Sequence, residues 1–222
     1  MFRDFFTLTE KHVKEVYSLK NIILSVIFIY VYYIGFPLFY GLLYTLHSYI
    51  IIRFALHLEL MSVFFFCAAL LPFFIIFTTN GYFSKELENK SIQYSIPYVS
   101  RILYGISKLC TIASLWFIII SVIFVSIGLR PLFYWSDFLL LYIFMVFYAF
   151  FWICCNACSS VCTTTIERSL GVTFIAILLG VTGIFYYYNS ITHFLDISIF
   201  IILFSVCVLT LVYITLLWRK AL

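Results

Sequence analysis

The sequence predicts an all-α integral membrane protein of six transmembrane helices, with the N- and C-termini both cytosolic. Three observations predict it. Of 222 residues, 65% are hydrophobic and only 10% charged, where a water-soluble domain carries about 25% charged residues. Formal charges are also missing from several runs long enough to cross a bilayer, which takes roughly 20 residues. Finally, Lys and Arg are unevenly placed. Eleven of the 13 fall on one side of the proposed membrane and two, Arg53 and Arg130, on the other, and the richer side is the cytosolic one.

Residues 1–20 contain Arg3, Lys11, Lys14 and Lys20 against Asp4, Glu10 and Glu15. Thr7 and Glu10 have the spacing of a capping box. Val13, Val16 and Tyr17, with Phe5 and Phe6 upstream, give an apolar stripe. The apolar run starts too late for a cleavable signal peptide and lacks a small-residue cleavage site. These residues therefore read as an amphipathic helix on the cytosolic membrane surface.

The 32 residues between Lys20 and Arg53 carry no formal charge, too many for one span and too few for two. This predicts span one at 21–43, bent at Gly35 and Pro37. An external loop or shallow helix follows over 44–58, with His47, Arg53 and His57. The charge-free run 60–84 supplies span two at 59–80. After a central loop at 81–107, span three runs over 108–129 and is closed by Arg130-Pro131. Asp137 precedes span four at 138–161, and Glu167-Arg168 makes a tight turn. Span five at 170–188 and span six at 197–217 complete the set, with Arg219-Lys220 at the end.

Six spans leave residues for short loops only, so no large soluble domain fits. The net charge of +4 arises beside the spans rather than on a soluble face, which argues against nucleic acid. Seven cysteines, an odd number in apolar surroundings, argue against a disulfide framework. The 22% aromatic share fits interface belts and lipid-facing packing. Abundant Phe, Ile, Tyr, Asn and Lys point to an AT-rich genome, hence a bacterial plasma membrane.

Cys154, Cys158 and Cys162 recur every four residues and share a helix face, with Cys155 beside them. Thiolates bind soft metals, but no His or carboxylate accompanies these, and Ala157, Ser159 and Ser160 are interleaved. The group reads as close helix packing, with no metal site. His47, His57 and Glu59 lack a ligand spacing and read as a wetted interface. Asn156 is the strongly polar side chain deep in a span. It either lines a pathway or bonds a neighbouring helix. The chain has no phosphate-binding GxxxxGK[ST] loop, no HExxH and no nucleophile elbow, and no acid at mid-membrane to couple transport to protons or sodium.

The central loop is the longest polar interruption. With its flank to Lys108 it holds Lys85, Glu86, Glu88, Lys90, Arg101 and Lys108, six of the 22 formal charges. Ser84 caps a short helix whose first turn carries Glu86 and Glu88, where the helix dipole favours carboxylates. Glu86 precedes Lys90 by four residues, the favourable order. Tyr82, Phe83, Leu87 and Tyr94 add apolar surface for a membrane or a partner. Pro97 ends this helix, and Ser100 caps the next one.

This loop and the six-span plan resemble the membrane subunit of type-2 ABC exporters. Glu86, Glu88, Asn89, Ser91, Pro97, Val99-Ser100-Arg101 and Lys108 are similar to that family's E-x-E-x-G-T … P-V-S-R … G-K run. Lys90 stands where the family usually has Gly, Tyr98 intervenes between Pro97 and Val99, and Gly105 is displaced from Lys108. The motif covers about 25 residues; the architecture covers the whole chain. The resemblance implies that Ser84, Lys85, Glu86, Leu87, Glu88, Asn89, Lys90, Ser91 and Tyr94 form a coupling helix seated on a separate ATPase. That partner would hold ATP and magnesium, with no cofactor in this chain. It further implies a second permease chain, homo- or heterodimeric, and no enzymatic activity here. An aromatic, uncharged conduit suits an amphiphile, a hydrophobic peptide such as a bacteriocin or peptide toxin above all, and otherwise a lipid or drug. A non-transporting immunity or sensor protein and a small intramembrane enzyme are the rival classes.

Overall fold

Backbone groups inside such apolar runs have no water to bond, so the chain satisfies them within helices. The computed structural model describes residues 2–49, 58–79, 82–83, 101–128, 135–163, 166–188 and 194–220. Among these residues there are seven helices and no strand: α1 (Phe2–Val16), α2 (Leu19–Tyr49), α3 (Leu58–Thr79), α4 (Arg101–Gly128), α5 (Trp135–Thr163), α6 (Ile166–Tyr188) and α7 (Phe194–Lys220). Three hold stretches long and apolar enough to cross a membrane: Leu19–Leu42 in α2, Leu103–Ile127 in α4 and Phe138–Thr163 in α5. Shorter apolar segments, Val63–Thr79 and Ile201–Leu216, lie in α3 and α7. Over the described residues the fold is all-helical and of membrane-protein character.

Helix α5 is the hub, packing on α3, α4, α6 and α7. Its buried residues fall on more than one side: Phe144, Tyr148 and Trp152 recur every four residues, as do Cys154 and Cys158. The cysteines meet α7. Cys154 Sγ lies 3.6 Å from Thr210 Oγ1, and Cys158 Sγ donates to the Leu209 carbonyl at 3.3 Å. Small side chains thus let α7 approach closely, whereas Cys162 is exposed.

Helix α2 packs mainly on α3. Phe28 is buried between Phe74, at a ring distance of 4.9 Å, and Trp116, at 5.6 Å. Most of the outer face of α2, including Tyr30 and Leu38, is exposed, as expected for a helix bathed in lipid. Amphipathic α1 docks on α4, burying His12 and Val16. Its solvent side carries the Lys14–Glu10 pair at 2.9 Å, the i,i+4 spacing of a surface pair.

Several expectations are corrected. Thr7 lies inside α1, which already begins at Phe2, so it caps no helix. Helix α2 continues through Gly35 and Pro37 to Tyr49, so 44–49 belong to the helix begun at Leu19 rather than to a separate external loop or shallow helix. Gly35 serves contact: a Cβ there would stand 2.7 Å from the Phe66 ring. Arg53 and His57 lie outside the described residues. Glu167 and Arg168 form no turn; they open α6, and Glu167 sits in its first turn, where the dipole favours an acid.

Candidate functional site

The coupling-helix residues Ser84, Lys85, Glu86, Leu87, Glu88, Asn89, Lys90, Ser91 and Tyr94, with Pro97 and Ser100, lie outside the described residues. What is described is how the central loop is rooted. One root is the chain just beyond α3, at Tyr82 and Phe83; the other is the start of α4 at Arg101.

The roots are tied by Lys108. The sequence places this residue at the edge of the charged loop, yet its side chain is only 2% exposed. A buried ammonium is costly unless it is paired. Lys108 Nζ donates to the Tyr82 carbonyl at 2.8 Å, just past the C-terminal end of α3, where the helix dipole favours a cation. It also stands 4.8 Å from the Tyr82 ring centroid and 5.4 Å from that of Tyr104, within cation–π range. Phe83 is buried as well, edge-on to Tyr213 of α7 at 5.8 Å. Phe83 is therefore turned into the bundle instead of presenting surface to a partner, and Tyr82 is half-buried beside Lys108.

Helix α1 completes this root. The His12 ring meets Tyr104 edge-on at 5.3 Å and Tyr82 at 6.2 Å. His12 Nδ1 is 3.8 Å from Glu15 Oε2, a contact too long for a direct hydrogen bond. The His12 side chain draws the Glu15 carboxyl below its usual range, partial burial opposes this, and the Lys108 and Lys11 charges reinforce it. The sequence reading missed His12, although its place four residues before Val16 puts it on the same face of α1, the face that docks.

A second polar group lies at the same end of the bundle. Asn156 of α5 donates through Nδ2 to Thr79 Oγ1, at the last residue of α3. Its Oδ1 accepts from Thr173 Oγ1 of α6 at 3.2 Å. Ser159 lies 2.6 Å from Thr173 and 3.1 Å from Ser169, and Ser160 lies 2.8 Å from Ser169. All six side chains are buried. Low polarity around such groups strengthens their mutual bonds, which add to bonds that Thr79, Ser159 and Thr173 make to backbone carbonyls of their own helices. Asn156 thus bridges three helices. Trp116 adds a fourth by donating from Nε1 to Thr78 Oγ1 at 3.1 Å.

Two layers therefore surround the base of the central loop: a cation held by two tyrosines and a carbonyl, and a seam of hydroxyls around one carboxamide. Among the described residues no three His, Cys, Asp or Glu side chains come together as a metal site. The chain matches no family model, no curated protein and no solved structure.

Proposed function

We propose that the chain is the permease subunit of an ATP-driven ABC exporter in a bacterial plasma membrane. It has six spans with both termini cytosolic and works with a second permease chain and a separate ATPase that binds ATP and magnesium. The central loop is the coupling element, and the substrate is an amphiphile, a hydrophobic peptide in the first place. The observation that carries the reading is the Lys108–Tyr82 bond across the loop's roots. A loop moored on one side to α1 and α4, and on the other through Thr79 and Asn156 to α5 and α6, passes a displacement into the helices rather than absorbing it. Packed helices respond to such a push by sliding or rocking as bodies.

Coexpression with an ABC ATPase encoded beside it tests this. The two should copurify, and Leu87→Pro or the pair Glu86→Lys, Glu88→Lys should detach the ATPase while the membrane part stays folded. A chain that purifies folded and active without any ATPase, or variants that retain a normally working ATPase, would defeat the proposal.

A further inference from the structure

We propose that the groove between α4 and α5 holds one acyl chain of a membrane lipid, drawn from the half of the bilayer beside α1. The groove has a volume of about 310 Å³ and runs from Cys110 and Ile153 at one end to Ile120 and Val146 at the other. Small side chains, Ala113 and Ala149, open it between the bulkier Phe117 and Phe150. Trp116 also lines it, with its indole N–H turned onto Thr78. Its walls are thus almost wholly hydrocarbon, with Ser114 the one hydroxyl among them.

Three features select the occupant. Both walls belong to helices apolar enough to cross a membrane, so the open side of the groove meets lipid rather than water. On that side Phe117 is 51% exposed. Next, the groove extends over ten residues of α4, about 15 Å at the helical rise, which is half of a hydrocarbon layer of about 30 Å. Lys108 marks the edge of the charge-free run 109–129, so the groove fills the half nearest α1. Finally, the one hydroxyl that lines the groove, on Ser114, lies in the part nearer Lys108. The Tyr17 hydroxyl, just after α1, bonds Ser114 Oγ at 3.0 Å, and Ser114 in turn donates to the Thr111 carbonyl at 2.7 Å. A narrow apolar length whose one polar group is displaced toward the charged edge of the helix is the order of an amphiphile lying along the bilayer normal. The volume is at the lower limit of small-molecule sites, roughly 300–1,000 Å³, and suits a single chain. A second copy of the protein is the rival occupant. The inference needs only the membrane location of α4 and α5, not the transport reading.

The test uses the full chain in nanodiscs of phosphatidylcholine and phosphatidylglycerol, the latter with a diazirine midway along one chain. After irradiation, adducts should concentrate on Phe117, Ile120 and Val146. They should exceed those on the exposed α2 face around Tyr30 and Leu38 by roughly tenfold, a preference of about 1.4 kcal/mol. Ala113→Phe, which fills the groove, should lower its adducts to the α2 level. Phe117→Ala, a change at an exposed position that spares the fold, should lower them as well. Adducts spread evenly over α2, α4 and α5, or unchanged in both variants, would reduce the groove to ordinary annular contact and overturn the proposal. So would weak labelling accompanied by efficient bis-maleimide crosslinking of Cys110 between two chains, which would assign the groove to a second copy.

Discussion

The phenolic hydroxyl of Tyr148 on α5 donates a 2.9 Å hydrogen bond to the backbone carbonyl of Ala68 on α3. That carbonyl would normally accept from the amide four residues on, but residue 72 is Pro72, which has no N–H. Tyr148 therefore satisfies the acceptor that the proline frees, in surroundings where no water can reach it. This is the kind of compensation that lets proline sit inside a membrane helix.

The pairing gives a double-mutant cycle. Tyr148→Phe should destabilise the protein by about 1–2 kcal/mol, the cost of a lost interhelical bond and an orphaned acceptor. In a Pro72→Ala background the restored amide takes over, and the same change should cost close to nothing. Thermal unfolding in detergent reads both. Equal losses with and without Pro72 would mean that the hydroxyl has some other role.

The Asn156 seam should respond more weakly than its burial suggests. Thr79 accepts from the carboxamide and donates to the Ile75 carbonyl at 2.6 Å, and the single Thr173 proton has the Ser169 carbonyl at 2.8 Å as its alternative acceptor, so removing the carboxamide does not strand them. Asn156→Leu is expected to cost about 0.6–1.7 kcal/mol, the range of single interhelical bonds in membrane proteins. Adding Thr79→Val should cost less than the sum of the two single changes, because they remove one shared bond. Strict additivity in melting experiments would argue against the Asn156–Thr79 contact.

These groups also show where sequence reading stops. Helices α4 and α5 are legible because charge-free runs of bilayer length admit one solution. The chemistry at the loop's base is not. Lys108 reads as the charged edge of span three because ammonium groups avoid hydrocarbon, and only the distant Tyr82 carbonyl and two tyrosine rings reverse that preference. Asn156 is visible as polar within a span, but its partners lie 77 and 17 residues away and no local pattern names them. Helix α2 overruns its expected end at residue 43 because nothing between Tyr44 and Tyr49 breaks a helix. Pro72 carries a usable signal: a proline in a span marks the carbonyl four residues earlier as needing a donor.

Glycines at helix contacts separate into two kinds. A Cβ on Gly35 would stand 2.7 Å from the Phe66 ring, and one on Gly180 would stand 2.9 Å from the Trp152 ring. Both rings are buried and cannot swing away freely. Gly41 and Gly171 have open space at the same point. Helix propensity favours Ala over Gly by about 1 kcal/mol, while overpacking costs about 1–3 kcal/mol. Gly35→Ala and Gly180→Ala should therefore lower the melting temperature, and Gly41→Ala and Gly171→Ala should leave it unchanged or raise it. A uniform response at all four would remove the case for notched packing.

The docking of α1 should depend on pH through Glu15. Its carboxyl titrates below the ordinary glutamate range in the folded protein, held there first by His12, with Lys108 and Lys11 adding to the effect; His12 and Lys11 lie on α1 itself, so the part linked to docking is the one that comes from Lys108 on α4. A depressed folded-state value means that the contribution is present above the unfolded value and is lost as pH falls through the folded one. The change therefore belongs below about pH 4.3. Glu15 is 42% exposed, so solvent screening keeps the effect small. Partial release of α1 is expected, not unfolding. A spin label on Val13, at the α1 surface, should gain mobility as the pH is lowered through this window. Glu15→Gln should flatten that response. Lys108→Met, which keeps the apolar stem but removes the charge, should move the midpoint upward. A label response that persists unchanged in Glu15→Gln would place the pH-sensitive contact elsewhere on α1.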